Sequence, residues 1–109
     1  MVTTAELLGR YTTMLSLSAQ MLGAAKQGDW DRLVELEQQR SQIEASLTND
    51  DKISWQGVYA AQKADLIHTI LATDAQTRSL TQIWMNEMQG TLQSIGTERK
   101  VRKAYEAVP

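Results

Sequence analysis

The chain has 109 residues, a formal net charge of −2, one proline and no cysteine. Its length predicts a single domain over residues 1–109, and the missing cysteine excludes disulfides and thiolate metal sites and fits a reducing compartment. The net charge argues against nonspecific binding of nucleic acid by the whole surface, and no apolar run approaches the roughly 20 residues that insertion in a membrane requires. We therefore expect a cytoplasmic protein.

Helix 1 is predicted from about residue 4 to residue 27. Thr3 or Thr4 supplies the N-cap, because a threonine hydroxyl can accept a hydrogen bond from the first free backbone amides. Apolar residues recur at helical spacing on one wide face, and such a face suits contact with two other helices. Gly28 is expected to end the helix, since glycine favours the left-handed conformation found there.

Helix 2 is predicted from about residue 30 to residue 47, with Asp29 as its N-cap. The Gly28-Asp29 connection is so short that helix 2 must fold back on helix 1. A polar segment at residues 48–51 then predicts a break before the next helix.

Helix 3 is predicted from about residue 54 to residue 97, a span that contains no proline. It would be ~65 Å long, against ~36 and ~27 Å for the helices before it. Its last third carries a row of apolar residues that we call the C-terminal stripe: Leu80, Trp84, Met85, Met88, Leu92 and Ile95. Leaving five such side chains in water would forfeit on the order of 10 kcal/mol. The stripe is therefore expected to be covered by another protein, a second copy in a homodimer, or the tail of the chain.

These elements predict an all-α fold, a three-helix up-down-up antiparallel bundle with an extra-long third helix. A basic C-terminal segment, residues 98–109, is expected to form a short fourth helix or a tail. Its candidate regulatory residues are Arg99, Lys100, Val101, Arg102, Lys103 and Tyr105.

Two unlike charges interrupt the apolar faces. Arg40 lies in the middle of the apolar face of helix 2, and Asp74 holds a similar position on helix 3. One interpretation is a buried pair between helices, which would penalise wrong registers. The alternative is that Arg40 reaches out to Glu37 and Glu44 on its own helix, and that Asp74 likewise pairs with Arg78.

The sequence offers no catalytic or metal-binding constellation. His68 is the only histidine and has no second ligand of metal type at helical spacing. No glycine-rich phosphate loop is present, and no hydroxyl lies beside a base in a productive arrangement. We expect no enzyme activity, no metal and no cofactor.

An ordered set of residues resembles a known family. The set starts with Gly28-Asp29-Trp30-Asp31 and continues through Leu33, Glu37, Arg40, Ile43, Ile70, Leu71, Asp74, Arg78 and Leu80, closing with the segment from Arg99 to Tyr105. In this order and spacing the chain is similar to the FliT family of flagellar export chaperones. The triplet Trp55-Gln56-Gly57 departs from the family pattern.

This resemblance implies a cytoplasmic, non-enzymatic chaperone that holds the filament-cap protein and passes it to the export ATPase and the export gate. Some relatives also bind the flagellar master transcription regulator. In the family the C-terminal segment can lie over the binding surface, which implies that the tail around Val101 and Tyr105 covers the C-terminal stripe until a client displaces it. The stripe is then the expected client site.

Two alternatives belong to other functional classes. The triplet at Trp55 also resembles the secreted Trp-x-Gly helical-hairpin proteins, which have one unbroken helix before the triplet. The basic segment could instead make the chain a regulator of DNA-binding proteins, although we expect no direct contact with nucleic acid. Direct DNA binding would weaken steeply with salt, whereas apolar docking of a client would not.

Overall fold

The computed structural model describes residues 2–106, with side chains described for residues 2–91. Over this range the fold is all-helical and contains three helices and no strand: α1 (Thr4–Gln27), α2 (Trp30–Asp50) and α3 (Gly57–Glu106). By its contacts the chain divides into two units, Met1–Arg78 and Ser79–Pro109.

Local capping fixes both ends of α1. The Thr3 hydroxyl accepts a hydrogen bond of 3.1 Å from the backbone amide of Glu6. At the other end Gly28 adopts the left-handed conformation, with φ of 70°. Its amide donates to the carbonyl of Ala25, and the amide of Asp29 donates to that of Ala24, at 3.2 and 2.9 Å. This pair of bonds is the Schellman arrangement, which needs a residue without a Cβ penalty at the glycine position.

α2 is longer than its sequence pattern indicates. Asp29 caps its start by accepting from the amide of Arg32 at 3.2 Å, but the helix ends at Asp50 rather than at residue 47. Asp50, the last residue of α2, has a tertiary partner: the Arg10 guanidinium of α1 lies 2.6 Å from its carboxylate. The break predicted at residues 48–51 is therefore wrong in position, and it lies at residues 51–56.

α3 begins at Gly57, close to the expected start at about residue 54, and continues without interruption to Glu106. The expectation of a separate helix or tail is wrong for residues 98–106, which extend α3. An isolated glycine costs only ~1 kcal/mol in a helix, so Gly90 and Gly96 do not end one that good helix formers continue.

The core of residues 1–78 joins all three helices. One cluster contains Leu7 and Met14 of α1, Leu47 of α2 and Ile70 of α3. A second contains Leu17, Met21, Ala24 and Leu36. Residues near the start of α1 meet residues near the end of α2: Arg10 pairs with Asp50, and Leu7 and Leu47 belong to one cluster. Two separate helices precede Trp55, which argues against the hairpin alternative.

Candidate partner-binding site

The side chains in the described part of the C-terminal stripe differ in their exposure to solvent. Leu80 and Trp84 are half-buried, whereas Met85 and Met88 are 45% and 47% exposed. The side chains of Leu92 and Ile95 lie outside the described residues, although their backbone belongs to α3. The structure thus leaves two large apolar side chains of the stripe open to solvent.

Helix geometry separates this stripe from a further apolar residue that the sequence analysis did not select. At ~100° per residue, Leu80, Trp84 and Met88 follow one another in steps of roughly 40° and share a face. Ile83 is also exposed, at 55%, but lies roughly 140° from Met88 around the helix. Its exposure was not signalled by the apolar spacing, because it stands outside that row.

The surroundings of the stripe are polar but nearly uncharged. Residues 79–91 contain one charged residue, Glu87. The Gln82 amide donates to the Asn86 side chain at 3.1 Å, and the Thr91 hydroxyl donates to the Glu87 carbonyl at 3.1 Å. Depletion of charge together with tryptophan and methionine is the composition of the buried centre of protein interfaces. Methionine in addition adapts its shape to different partners.

Arg40 and Asp74, the two charges on facing helices, come together in residues 1–78. The Arg40 Nη1 atom lies 2.6 Å from the Asp74 carboxylate and donates to the Ser18 hydroxyl at 3.1 Å. Arg40 also reaches Glu37 at 3.0 Å and Glu44 at 3.6 Å on its own helix. The two interpretations of Arg40 thus hold together, since one guanidinium contacts both the facing helix and its own.

A second polar cluster, absent from the sequence-based predictions, surrounds Asp51. Its side chain is only 7% exposed and accepts hydrogen bonds from Trp55 Nε1 at 2.7 Å and Lys63 Nζ at 2.6 Å. The Tyr11 hydroxyl also donates to it. The Lys63 ammonium lies 4.7 Å from the centre of the Trp55 ring, within cation–π range. We call these four residues the Asp51 cluster; they give the unusual triplet at Trp55 a structural role.

The pKa values within the Asp51 cluster follow from these contacts. Burial raises the pKa of Asp51, but hydrogen bonds from Lys63, Tyr11 and Trp55 outweigh it and leave the pKa below its ordinary value. Burial raises the pKa of Tyr11, and its bond to the Asp51 carboxylate raises it further. Asp51 therefore stays charged and Tyr11 stays protonated at neutral pH, which is the combination that keeps the cluster bonded.

Three other features considered from the sequence are metal ligands, membrane-spanning helices and the basic C-terminal segment. Among the described residues there is no group of three or more metal-ligating side chains, and His68 is exposed. Within the same part of the chain, every helix is too short or too polar to cross a bilayer. Residues 99–103 and Tyr105 have helical backbone, but their side chains lie outside the described residues.

Comparison with known proteins points to one family. The family model described as "Flagellar protein FliT" matches residues 8–107. A "Flagellar protein FliT" of Photorhabdus laumondii is 26% identical over 95% of this chain and 84% of its own. One of Cronobacter sakazakii is 24% identical over 90% of this chain and 82% of its own. No solved structure gives a significant match.

Proposed function

The chain belongs to the FliT family of flagellar proteins, and on this premise we propose that it is a cytoplasmic chaperone of flagellar type III export. It binds the filament-cap protein before export and delivers it to the export ATPase and the export gate. The role is one of binding and needs no catalytic residue or cofactor. Binding to the flagellar master transcription regulator stays a prediction from the family resemblance.

The exposure of Met85 and Met88 carries this proposal. Both lie in a segment with a single charge, and together with Leu80 and Trp84 they present an apolar face of α3. A helical segment of the client can place its own apolar residues on this face, in the manner of a helix in a groove. Removing both faces from water supplies the free energy of binding, at roughly 25 cal/mol per Å² of apolar surface.

Residues 1–78 form the helical bundle in our proposal. We infer an up-down-up bundle, because α2 contacts α1 through Arg10 and Asp50 and contacts α3 through Arg40 and Asp74. The polar pair of Arg40 and Asp74 fixes the register of α3 in the bundle, since any shifted register would separate two poorly solvated charges. The start of α3 is fixed further by the Asp51 cluster.

A matched pair of variants tests the client site. Met88→Asp places a charge at the centre of the proposed interface, whereas Ile83→Asp places the same charge on the opposite side of the same helix. We expect Met88→Asp to weaken binding of purified filament-cap protein by about 100-fold or more, since burying an unpaired charge costs several kcal/mol. Ile83→Asp should change the affinity by less than about threefold.

Isothermal titration calorimetry measures both affinities, and circular dichroism checks that both variants keep the helical content of the parent. Equal affinities of the two variants would contradict the proposed site. Loss of binding in both would contradict it as well, because it would show that any charge on this segment, on either face, is enough to prevent binding.

A further inference from the structure

We propose that Met85 and Met88 are sites of reversible oxidation, and that hydrogen peroxide prevents binding of the client by converting their thioethers to sulfoxides. The sulfoxides form on the C-terminal stripe and leave the fold of the chain unchanged. This inference rests on the proposed function and adds a regulation of that site, together with the chemical class of the oxidant.

Solvent exposure separates four methionines of the described residues into two pairs. Met85 and Met88 are 45% and 47% exposed, whereas Met14 and Met21 are 9% and 5% exposed. Peroxide reaches a sulfur atom from the solvent, so that oxidation follows the exposure of the side chain. The exposed pair therefore reacts in the folded chain, whereas the core pair reacts only when the chain opens or unfolds.

The oxidation needs no catalytic group of the chain. The thioether sulfur attacks one oxygen of hydrogen peroxide, the O–O bond breaks and an S–O bond forms. The sulfur gives up two electrons and becomes a sulfoxide, and the peroxide is reduced to one molecule of water. A methionine sulfoxide reductase reverses the step, because two thiols are oxidised to a disulfide while the sulfoxide oxygen leaves as water. The modification is therefore removable.

The composition of the C-terminal stripe makes a sulfoxide unfavourable in the complex. A sulfoxide oxygen accepts hydrogen bonds, and on the free chain water supplies them. Against the apolar face of a client this water is lost, and residues 79–91 contain no lysine or arginine that could replace it. Burial of a polar group without a hydrogen-bond partner costs free energy. Because Met85 and Met88 lie one helical turn apart, both sulfoxides oppose the same docked segment.

The same sulfoxides cost the free chain little. Met14 and Met21 belong to the two core clusters, whereas Met85 and Met88 already face solvent. Oxidation of the exposed pair therefore acts on binding and not on folding. The coupling is reciprocal: a client that binds the oxidised chain more weakly also protects both sulfur atoms while it is bound. Peroxide thus acts on the chaperone that carries no client.

Peptide mass spectrometry measures where oxygen is added. Trypsin releases Met85 and Met88 together on residues 79–99, and Met14 and Met21 together on residues 11–26. In the full chain treated with hydrogen peroxide, we expect the first peptide to gain oxygen about tenfold faster than the second. Saturation with filament-cap protein should slow the first peptide and leave the second unchanged. Equal rates for the two peptides in the free chain would overturn the inference.

Isothermal titration calorimetry measures the effect on binding. Only the chaperone is treated, and catalase removes the peroxide before purified filament-cap protein is added. We expect the oxidised chain to bind about 30-fold more weakly, and a methionine sulfoxide reductase to restore the affinity. Circular dichroism should show the same helical content before and after treatment.

Two double variants assign the effect to the exposed pair. Met85→Leu with Met88→Leu keeps the apolar face without its sulfur atoms, so peroxide should change its affinity by less than about threefold. Met14→Leu with Met21→Leu is the matched control, and it should lose affinity on oxidation as the parent does. Leucine and methionine are similar in volume, so both variants should fold.

Four results would overturn the inference. They are unchanged affinity once Met85 and Met88 are oxidised, a loss that persists in the Met85→Leu and Met88→Leu variant, a loss that the reductase does not reverse, and a fall in helical content on oxidation. The proposed function fails separately, when the filament-cap protein does not distinguish Met88→Asp from Ile83→Asp. A cap protein that distinguishes those variants but binds the oxidised and untreated chains equally would leave the client site in place and remove only its regulation.

Discussion

Residues of the same type differ in solvent exposure between residues 2–78 and residues 79–91. Met14 and Met21 in the first region are 9% and 5% exposed and belong to its core, whereas Met85 and Met88 in the second are 45% and 47% exposed. Charges show the reverse contrast. In the first region the charged side chains of Arg40 and Asp51 form ion pairs with specific partners. The second region contains a single charged residue, Glu87.

This difference indicates a division of roles along the chain. Charged groups with little access to solvent tolerate few arrangements, because each displaced partner leaves a charge without compensation. A face of methionine and aromatic side chains without charges accepts many arrangements, because apolar burial has no direction. The first region is suited to holding one structure, and under the proposed function the second adapts to a partner.

Removing Arg40 should have the largest effect on folding. Arg40→Ala leaves the Asp74 carboxylate, 19% exposed, without its partner at 2.6 Å. We expect the free energy of unfolding to fall by ~3–5 kcal/mol, measured by urea denaturation followed by circular dichroism. Arg32→Ala is the control: its ion pair with Glu35 is 46% and 64% exposed, so the loss should stay below ~1 kcal/mol. Equal losses would show that the Arg40 contacts are no stronger than a surface pair.

Neutralising Asp51 should have an intermediate effect that depends on pH. Asp51→Asn removes the charge that Lys63 and Tyr11 contact, at an expected cost of about 2 kcal/mol at neutral pH. Since the pKa of Asp51 is lower in the folded chain than its ordinary 3.8, its contribution is complete above that value and is lost as the pH falls below it. The difference between parent and variant should therefore be constant from pH 6 down to about the ordinary pKa of aspartate and then shrink towards pH 2. A difference that stays constant down to pH 2 would contradict the role of the charge.

Trp55→Phe should have the smallest of these effects. Phenylalanine keeps an aromatic ring beside the Lys63 ammonium but lacks the indole N–H that donates to Asp51 at 2.7 Å. We expect a loss of about 1 kcal/mol in the free energy of unfolding. Trp55→Ala, which removes the ring contacts as well, should cost clearly more. Equal losses for the two variants would assign the whole contribution of Trp55 to its hydrogen bond.

The sequence predicted those helix ends that depend on residues close by in the chain. Thr3 and Gly28 bound α1 as expected, because a hydroxyl cap and a left-handed glycine act within a few residues of the helix end. The end of α2 was placed too early, and the contact that Asp50 makes there with Arg10 could not be seen locally, because the two residues lie forty positions apart in sequence. The end of α3 was also placed too early, because the helix continues through Gly96 to Glu106.

The candidate site shows the same limit. Apolar periodicity identified the row that contains Met85 and Met88, but exposure is a property of the folded chain and could not be calculated from spacing. The Asp51 cluster was missed because its members come from α1, the loop before α3, and α3. An aspartate four residues before a loop tryptophan was the one local signal for it.

The methionine methyl groups give the most direct test of the contrast between the two regions. The chain contains five methionines, and ¹³C labelling of their methyl groups resolves the core pair from the exposed pair by nuclear magnetic resonance. On addition of the filament-cap protein, the signals of Met85 and Met88 should shift or broaden, while those of Met14 and Met21 stay in place. Unchanged signals from Met85 and Met88 in a complex that forms, or equal changes at all four, would contradict the account.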